Sequence, residues 1–184
     1  NLLGDHNVAN ATASIAIALN LGIKISTIKK ALKKFSGIQR RFTKVFSVDN
    51  RDFYDDYAHH PTEIRAVIKS ARQVYADRKI ICVFQPHRYS RVKSLKKEFA
   101  SSFKLSNTVV LCPVYAAGEK IDSNFNQDHF SQLIAKKSGT QVINIKDQNE
   151  LKNFFKKNLF DGEMIICMGA GSISNWIREI AAKF

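Results

Sequence analysis

The chain has few of the residues that define several common classes of small protein. It contains only three cysteines in 184 residues, an odd number without C-x-x-C spacing, which argues against a disulfide framework or a zinc knuckle. Each cysteine lies within an apolar run, so we expect buried free thiols in a reducing cytoplasm. The sequence also has no G-x-x-x-x-G-K-S/T phosphate loop and no H-E-x-x-H zinc motif. Any use of ATP would therefore need a phosphate loop outside this chain.

Long apolar runs are missing as well. The longest uncharged stretch covers residues 7–23 and includes Asn10, Thr12, Ser14 and Asn20. A membrane-spanning helix needs about 20 predominantly apolar residues, and this stretch is too short and too polar. We therefore predict no membrane-spanning segment and no membrane partner.

Acidic residues are scarce. The chain has 16 Asp and Glu side chains and 29 Lys and Arg side chains, which gives a formal net charge of +13. Residues 24–44 hold eight basic residues and no acidic one. Such a balance indicates an anionic partner, which would be a nucleic acid, a nucleotide, a phosphorylated substrate or a membrane surface. The alternative for residues 24–44 is a solvated helix face.

The hydrophobic pattern predicts an α/β fold. Hydrophobic residues make up 45% of the chain, enough for a packed core. Two helices, over residues 7–21 and about 26–35, precede a β-hairpin over residues 42–57. After Pro61, helical patterns alternate with β-branched runs, which is typical of a Rossmann-like, mostly parallel sheet with the hairpin as its antiparallel edge. The later helices are predicted over 61–76, 90–103, 127–138, 147–157 and 172–183, and the later strands over 79–85, 107–112, 140–145 and 163–168.

The hairpin leads into a helix through Asp-Asp-Tyr-Ala-His-His-Pro-Thr-Glu, residues 55–63, which we call the first corner. Strand-to-helix corners are where α/β folds bind ligands, and an Asp at such a place can bridge the ribose hydroxyls of a nucleotide. His59 and His60 are adjacent, so on extended backbone they point to opposite sides, and at most one faces the ligand. The alternative is a hydrogen-bonded turn without a ligand.

The next strand leads into a helix through Phe-Gln-Pro-His-Arg-Tyr-Ser-Arg, residues 84–91, which we call the second corner. Arg88 and Arg91 lie three positions apart and are predicted to share one face at the start of a helix. Two guanidinium groups beside a helix N-terminus form a strong receptor for a carboxylate or a phosphate. His87 adds a third donor or a base. The alternative is a surface salt-bridge pair.

A metal site is a further alternative, since Asp56, His59 or His60, and His87 could converge. The sequence has no spacing typical of a metal-binding motif. We therefore predict no metal ligand in this chain.

Several segments resemble the successive motifs of the Mur ligases. Their order and spacing hold along nearly the whole chain, and the form of the second corner is specific to the type that uses L-alanine. The matching segments are Gly4–Ala11, Gly37–Phe42, the two corners, Val114–Glu119 and Met168–Ile173.

The resemblance implies an ATP-dependent ligase of peptidoglycan precursor synthesis in the cytoplasm, and hence a role in cell wall biogenesis, cell shape and cell division. The reaction would join L-alanine to the lactyl carboxylate of UDP-N-acetylmuramate through an acyl phosphate. The implied partners are UDP-N-acetylmuramate, L-alanine, ATP and the rest of the same polypeptide, with no nucleic acid and no membrane. Mg²⁺ is expected to find its ligands in a missing domain. The alternative function is a basic nucleotide- or nucleic-acid-binding α/β module.

The resemblance also assigns site residues. ATP binding is assigned to His6, Asn7, Asn10, Arg41 and Asp56. The L-alanine pocket is assigned to Tyr57, His59, His87, Arg88 and Arg91. Of these, the residues expected to be catalytic are His87, Arg88 and Arg91.

The resemblance divides the chain at residue 40. Residues 1–39 correspond to the truncated C-terminal helices of the central ATP-binding domain, and residues 40–184 to the C-terminal domain of a Mur ligase. The start Asn1-Leu2-Leu3-Gly4 is no natural initiation sequence, so we expect a C-terminal fragment that is inactive alone. The segment Gly37–Arg41 is the expected hinge.

Overall fold

A computed structural model describes residues 4–183. The positions 1–3, whose sequence led us to expect a longer protein, lie outside the described residues, as does residue 184. The predicted helical pair, the hairpin and the alternation of helices and strands are confirmed. The elements are α1 (Asp5–Asn20), α2 (Ile25–Lys34), β1 (Thr43–Val48), β2 (Arg51–Asp56), α3 (Pro61–Val74), β3 (Ile80–Phe84), α4 (Tyr89–Ser94), α5 (Lys96–Ala100), β4 (Thr108–Leu111), α6 (Gln127–Ser138), β5 (Gln141–Asn144), α7 (Gln148–Asn158), β6 (Met164–Met168) and α8 (Ile173–Ala181).

The six strands form one sheet in the order β1-β2-β6-β3-β4-β5. β1 pairs with β2 in antiparallel fashion, and every other pair is parallel, so the predicted sheet with a hairpin edge is confirmed. Asp49 and Asn50 connect the hairpin with positive φ angles of 45° and 56°. A two-residue turn of this kind matches the twist of antiparallel strands, and Asp and Asn tolerate it better than most residues.

Two apolar clusters cover the two faces of the sheet. Adjacent strand residues point to opposite faces, so Tyr54 packs with Ile64 of α3 and Phe130 of α6, while Phe53 packs with Ile177 of α8 on the other side. The three cysteines are free and buried, as predicted. Helices on both faces leave the ends of the strands as the place where loops can form a site.

The predicted helix over 90–103 is wrong in detail. It is broken at Leu95, whose φ of −115° ends α4 before α5 begins. Both pieces still bury an apolar side chain in the same cluster, Val92 in α4 and Phe99 in α5. The break therefore removes no apolar burial, which is why hydrophobic periodicity alone did not reveal it.

The helical pair stands apart from these clusters. Neither α1 nor α2 contains a buried residue, and Leu21 between them is 74% exposed. The assignment of residues 1–39 to a separate domain stays a prediction. No helix within residues 4–183 is both long and apolar enough to cross a membrane.

Candidate active site

The loops that follow four neighbouring strands meet at the carboxyl-terminal end of the sheet. β2, β6, β3 and β4 are parallel neighbours, so their carboxyl ends lie side by side. β2 continues into Tyr57–His60, β6 into Gly169–Ser172, β3 into Gln85–Arg88 and β4 into Cys112–Tyr115. The two predicted corners therefore flank the glycine-rich turn after β6.

Four aromatic rings lie next to one another along this end of the sheet. The ring centroids of Tyr57 and His59 are 5.1 Å apart, those of His59 and His87 5.9 Å, and those of His87 and Tyr115 5.6 Å. We call these four residues the aromatic row. It runs from the loop after β2 to the loop after β4, and it joins residues of both corners into one wall.

His87 is held as a hydrogen-bond donor. Its Nδ1 lies 3.2 Å from Nη1 of Arg91. A guanidinium group cannot accept a hydrogen bond, so Nδ1 must accept and the ring proton sits on Nε2. Burial lowers the pKa of His87, and the charges of Arg91, His59 and Arg88 lower it further. His87 is therefore a neutral ring that offers an N–H group, which favours the donor among the two predicted roles.

Arg88 does not occupy the predicted helical position. α4 begins at Tyr89, and Arg88 precedes it as an exposed residue with φ +71°. The prediction that Arg88 and Arg91 share a helix face is therefore wrong. The Arg88 backbone N–H instead donates to the carbonyl of Tyr115 at 2.9 Å, which fixes Arg88 between the loops after β3 and β4.

The two adjacent histidines have different roles, as predicted. Nδ1 of His59 lies 2.9 Å from the Tyr57 carbonyl oxygen. A carbonyl can only accept, so Nδ1 of His59 carries a proton, and it also lies 3.3 Å from Oε2 of Glu63. Nε2 can accept a hydrogen bond when the ring is neutral. His60 is exposed and caps α3, with Nδ1 accepting from the Thr62 backbone at 3.4 Å and Glu63 Oε2 accepting from the His60 backbone at 3.1 Å.

All five residues assigned to ATP binding line one cavity of about 430 Å³. We call it the nucleotide cavity. Its lining includes three residues of α1, two of the assigned residues near the sheet, and part of α3. The assigned residues are His6, Asn7, Asn10, Arg41 and Asp56. The structure thus brings together a set that is spread over more than fifty positions of sequence.

Asp56 links this cavity to the linker before β1. Its side chain is almost fully buried, and its oxygens accept hydrogen bonds from the backbone of Phe42 at 2.8 Å and of Ala58 at 2.7 Å. Burial raises the pKa of Asp56, although these two bonds and the charge of Arg41 oppose the shift. Each carboxylate oxygen can accept a second bond, so the group can hold the backbone and still receive a ligand hydroxyl.

Comparison with known proteins identifies the family. A family model for the "Mur ligase, glutamate ligase domain" matches residues 40–171. The chain belongs to the Mur ligase family. It is 50% identical over 179 residues to the UDP-N-acetylmuramate–L-alanine ligase of Pelagibacter ubique, covering 97% of this chain and 39% of that protein. It is 41% identical over 180 residues to the ligase of the same name from Jannaschia sp., covering 98% of this chain and 38% of that protein.

Solved Mur ligases share the fold. The UDP-N-acetylmuramate–alanine ligase of Thermotoga maritima superposes with a TM-score of 0.77 at 30% identity, covering 98% of this chain and 38% of that structure. The folylpolyglutamate synthase of Mycobacterium tuberculosis reaches a TM-score of 0.68 at 13% identity, covering 97% of this chain and 40% of that structure. The second likeness shows the fold alone. The chain spans less than two fifths of the length of its curated relatives.

Two residues of this Mur ligase site were missed by the sequence analysis. The Arg40 guanidinium carbon lies 4.6 Å from the centroid of the Tyr57 ring, and its Nη2 donates to the Gly169 carbonyl at 2.7 Å. Tyr115 ends the aromatic row. Both lie in segments that carry the resemblance to Mur ligases, but only the three-dimensional contacts show what they touch.

The metal alternative finds no support in this Mur ligase chain. In the part of the chain that the structure describes, no group of three His, Cys, Asp or Glu side chains is placed to bind a metal. Asp56 binds backbone amides and His60 caps α3. Their positions serve the local backbone.

Proposed function

We propose that the chain forms the C-terminal part of an ATP-dependent ligase that joins L-alanine to UDP-N-acetylmuramate in peptidoglycan precursor synthesis. The observation that carries the proposal is the opposite hydrogen-bonding polarity of His59 and His87 within one row of rings, 5.9 Å apart. An amino acid carries one group of each kind, an ammonium that donates and a carboxylate that accepts. The names of relatives at 41–50% identity also support the proposal.

The amino acid would bind between the hydrogen-bond acceptor on His59 and the donor on His87. Nε2 of His59 accepts from the amino group, while the Nε2–H of His87 and the guanidinium of Arg91 attract the carboxylate. Arg88, exposed at the start of α4, adds a second positive charge near the same loops. Recognition of both ends orients the amine for attack.

The chemical step would then use the same charges. The lactyl carboxylate of UDP-N-acetylmuramate is activated as an acyl phosphate by ATP, and the free amine of alanine attacks its carbonyl carbon. Nε2 of His59 takes one proton from the ammonium to give this free amine, and the second proton is lost with the phosphate as the amide forms and the bond between the carbonyl carbon and the phosphate oxygen breaks. The tetrahedral state places negative charge on the former carbonyl oxygen, which preorganised guanidinium groups stabilise more strongly than they stabilise the uncharged carbonyl of the acyl phosphate.

The nucleotide cavity would receive ATP from the side of α1. His6, Asn7 and Asn10 would contact the adenine, while Arg41 and Asp56 would hold the ribose and phosphates. The described residues offer no metal-ligand group and the sequence has no phosphate loop. We therefore expect Mg²⁺, which would neutralise phosphate charge, to be bound by the rest of the polypeptide. For the same reason we expect this chain to be inactive alone. The cytoplasmic location remains what the resemblance to Mur ligases implies.

The decisive test uses the full-length protein. Phosphate release should require ATP, UDP-N-acetylmuramate and L-alanine together, and residues 1–184 alone should release none. Arg88→Ala should raise the KM for alanine or lower kcat by about tenfold or more, as expected when a charged hydrogen bond to substrate is removed. Arg51→Ala is the matched control, because Arg51 begins β2 and therefore lies at the end of the sheet opposite to the site. If Arg88→Ala leaves both constants within about twofold of wild type, the pocket assignment is wrong.

The alternative of a nucleic-acid-binding module rests on the positive charge, in particular on the exposed lysines of α2. Such a module should bind a single-stranded oligonucleotide with an affinity that falls steeply with salt. The ligase proposal predicts weak, sequence-independent binding only. Tight binding at physiological salt would favour the alternative.

A further inference from the structure

We propose that Tyr115 forms the wall of the amino-acid pocket on the β4 side and limits the size of the side chain that fits, and that Gly171 provides the space for its ring. This inference rests on the proposed function and deepens it. The ligand class is a small L-amino acid, bound with its side chain against the end of the aromatic row.

The backbone of Tyr115 is fixed by the loop after β3. The Tyr115 N–H donates to the Pro86 carbonyl at 2.8 Å, and the Tyr115 carbonyl accepts from the Arg88 N–H at 2.9 Å. His87 and Tyr115 thereby form an isolated parallel bridge beyond the ends of β3 and β4. The loop with Tyr115 is thus fastened to the residues that are expected to bind the substrate carboxylate.

The ring of Tyr115 stacks on His87. The two rings are 5.6 Å apart at an interplanar angle of 25°, and Tyr115 is 41% exposed. More than half of the residue is therefore buried, and the exposed part is open to a ligand. A ring that is anchored by its backbone and stacked on a substrate-binding histidine is placed to contact a ligand.

The Tyr115 ring leaves no room for a side chain at position 171. A Cβ atom at position 171 would lie 2.5 Å from Cγ and 2.7 Å from Cβ of Tyr115, and 2.6 Å from Oε1 of Gln85. Gly171 is not among the glycines with positive φ, so its backbone conformation does not require glycine. The close approach of the Tyr115 ring does.

The far end of the same loop is fastened to α4. Glu119 accepts hydrogen bonds from Ser90, from the backbone N–H at 3.2 Å and from the hydroxyl. Ser90 lies in the first turn of α4, within the second corner. The loop is therefore held on both sides of Tyr115, and its ring is a fixed wall.

The two ends of the aromatic row would supply the proposed size limit. Tyrosine rings stand at both ends of the aromatic row, Tyr57 and Tyr115, with His59 and His87 between them. A methyl side chain fits between fixed walls with fewer displaced contacts than an ethyl side chain. One methylene in such a pocket changes selectivity by about 10- to 200-fold.

The test compares L-alanine with L-2-aminobutyrate in the full-length protein. Tyr115→Ala should lower the ratio of kcat/KM for alanine to that for aminobutyrate by about tenfold or more, since it removes the wall. Tyr115→Phe should keep the wild-type preference for alanine because it keeps the ring. Ile121→Ala is the control, since Ile121 is 79% exposed on the same loop.

Gly171→Ala supplies a second, independent variant. It should raise the KM for alanine because the new methyl displaces the Tyr115 ring. The effect should shrink in part when Tyr115→Ala is added, since the contact with Cγ is removed while those with Cβ of residue 115 and Oε1 of Gln85 remain. Circular dichroism checks that each variant is folded. A ratio for Tyr115→Ala within about twofold of wild type, in an active and folded enzyme, overturns this inference and leaves the proposed function standing. A wild-type protein that ligates neither amino acid overturns both.

Discussion

The Arg40 guanidinium carbon lies 4.6 Å from the centroid of the Tyr57 ring, and the same guanidinium donates to the Gly169 carbonyl at 2.7 Å. Arg40 belongs to the linker before β1, Tyr57 follows β2, and Gly169 follows β6. One side chain thus joins the predicted hinge to the loops after two parallel strands. Because Tyr57 begins the aromatic row, a shift of the linker would move the ring that we propose as the first wall of the amino-acid pocket.

Arg40→Ala should therefore destabilise the fold. A cation–π contact contributes about 0.5–1 kcal/mol at a partly exposed site, and a hydrogen bond from a charged group about 1.5–3 kcal/mol. We expect the free energy of unfolding to fall by about 2–4 kcal/mol in urea titrations. The neighbouring Gln39→Ala is the control, since Gln39 is exposed and should change stability by less than about 0.5 kcal/mol. Equal effects of the two variants would show that the Arg40 contacts add nothing.

Gly4 controls the approach of α1 to α3. Its φ is +93°, and a Cβ atom there would lie 2.0 Å from Oγ of Ser70, a residue that lines the nucleotide cavity. Gly22 has a similar φ of +74° but no atom within 4 Å of a Cβ. The Gly4 backbone (φ 93°, ψ 150°) lies in a region that is essentially restricted to glycine, so Gly4→Ala adds backbone strain and also pushes the two helices apart.

Gly4→Ala should therefore weaken nucleotide binding more than Gly22→Ala does. Calorimetric titration of the full-length protein with an ATP analogue measures the difference, and thermal unfolding measures the backbone strain of each variant separately. If the two variants lose affinity equally, the contact between α1 and α3 does not shape the nucleotide cavity.

The sequence was sufficient for the sheet, because strands of a parallel sheet that is covered on both faces need continuous apolar runs. Ile80–Phe84 and Met164–Met168 are such runs, and both are fully buried. The hairpin was equally clear from Asp49 and Asn50. The proximity of the two corners could be predicted from the sheet, since residues that follow neighbouring parallel strands lie at the same end of it.

The remaining site features depend on contacts between distant segments. The stacking of Arg40 on Tyr57 and of Tyr115 on His87 joins residues that no local pattern relates. The position of Arg88 outside α4 follows from its φ of +71°, which is set by its bond to the loop after β4. Helical spacing gave no sign of such a bond, so the sequence led us to expect Arg88 and Arg91 on one face at the start of the helix.

Asp52 should give the fold a measurable acid dependence. Burial alone would raise the pKa of Asp52, but hydrogen bonds from Lys44, Ser47 and Arg78 outweigh it and hold the pKa well below its usual range. A carboxyl group with a lowered pKa in the folded state adds stability above its unfolded value of about 3.9, and this stability is lost as the pH falls through the folded pKa. Asp52→Asn should lower stability at neutral pH and flatten its decline below about pH 4. The exposed Asp77→Asn serves as control, and an unchanged acid profile for Asp52→Asn would contradict the assignment.

His87 should titrate below the ordinary value for histidine, which is about 6.5. Burial lowers its pKa most, followed by the charge of Arg91 and then those of His59 and Arg88. Removing a neighbouring positive charge makes protonation easier, so Arg91→Met should raise the pKa of His87 while the ring stays buried. NMR titration of the imidazole C–H signals measures the shift, with Arg51→Ala as the control for a distant charge. A pKa of His87 that stays unchanged or falls in Arg91→Met would show that Arg91 does not hold the ring neutral, and the donor role of His87 would lose its physical basis.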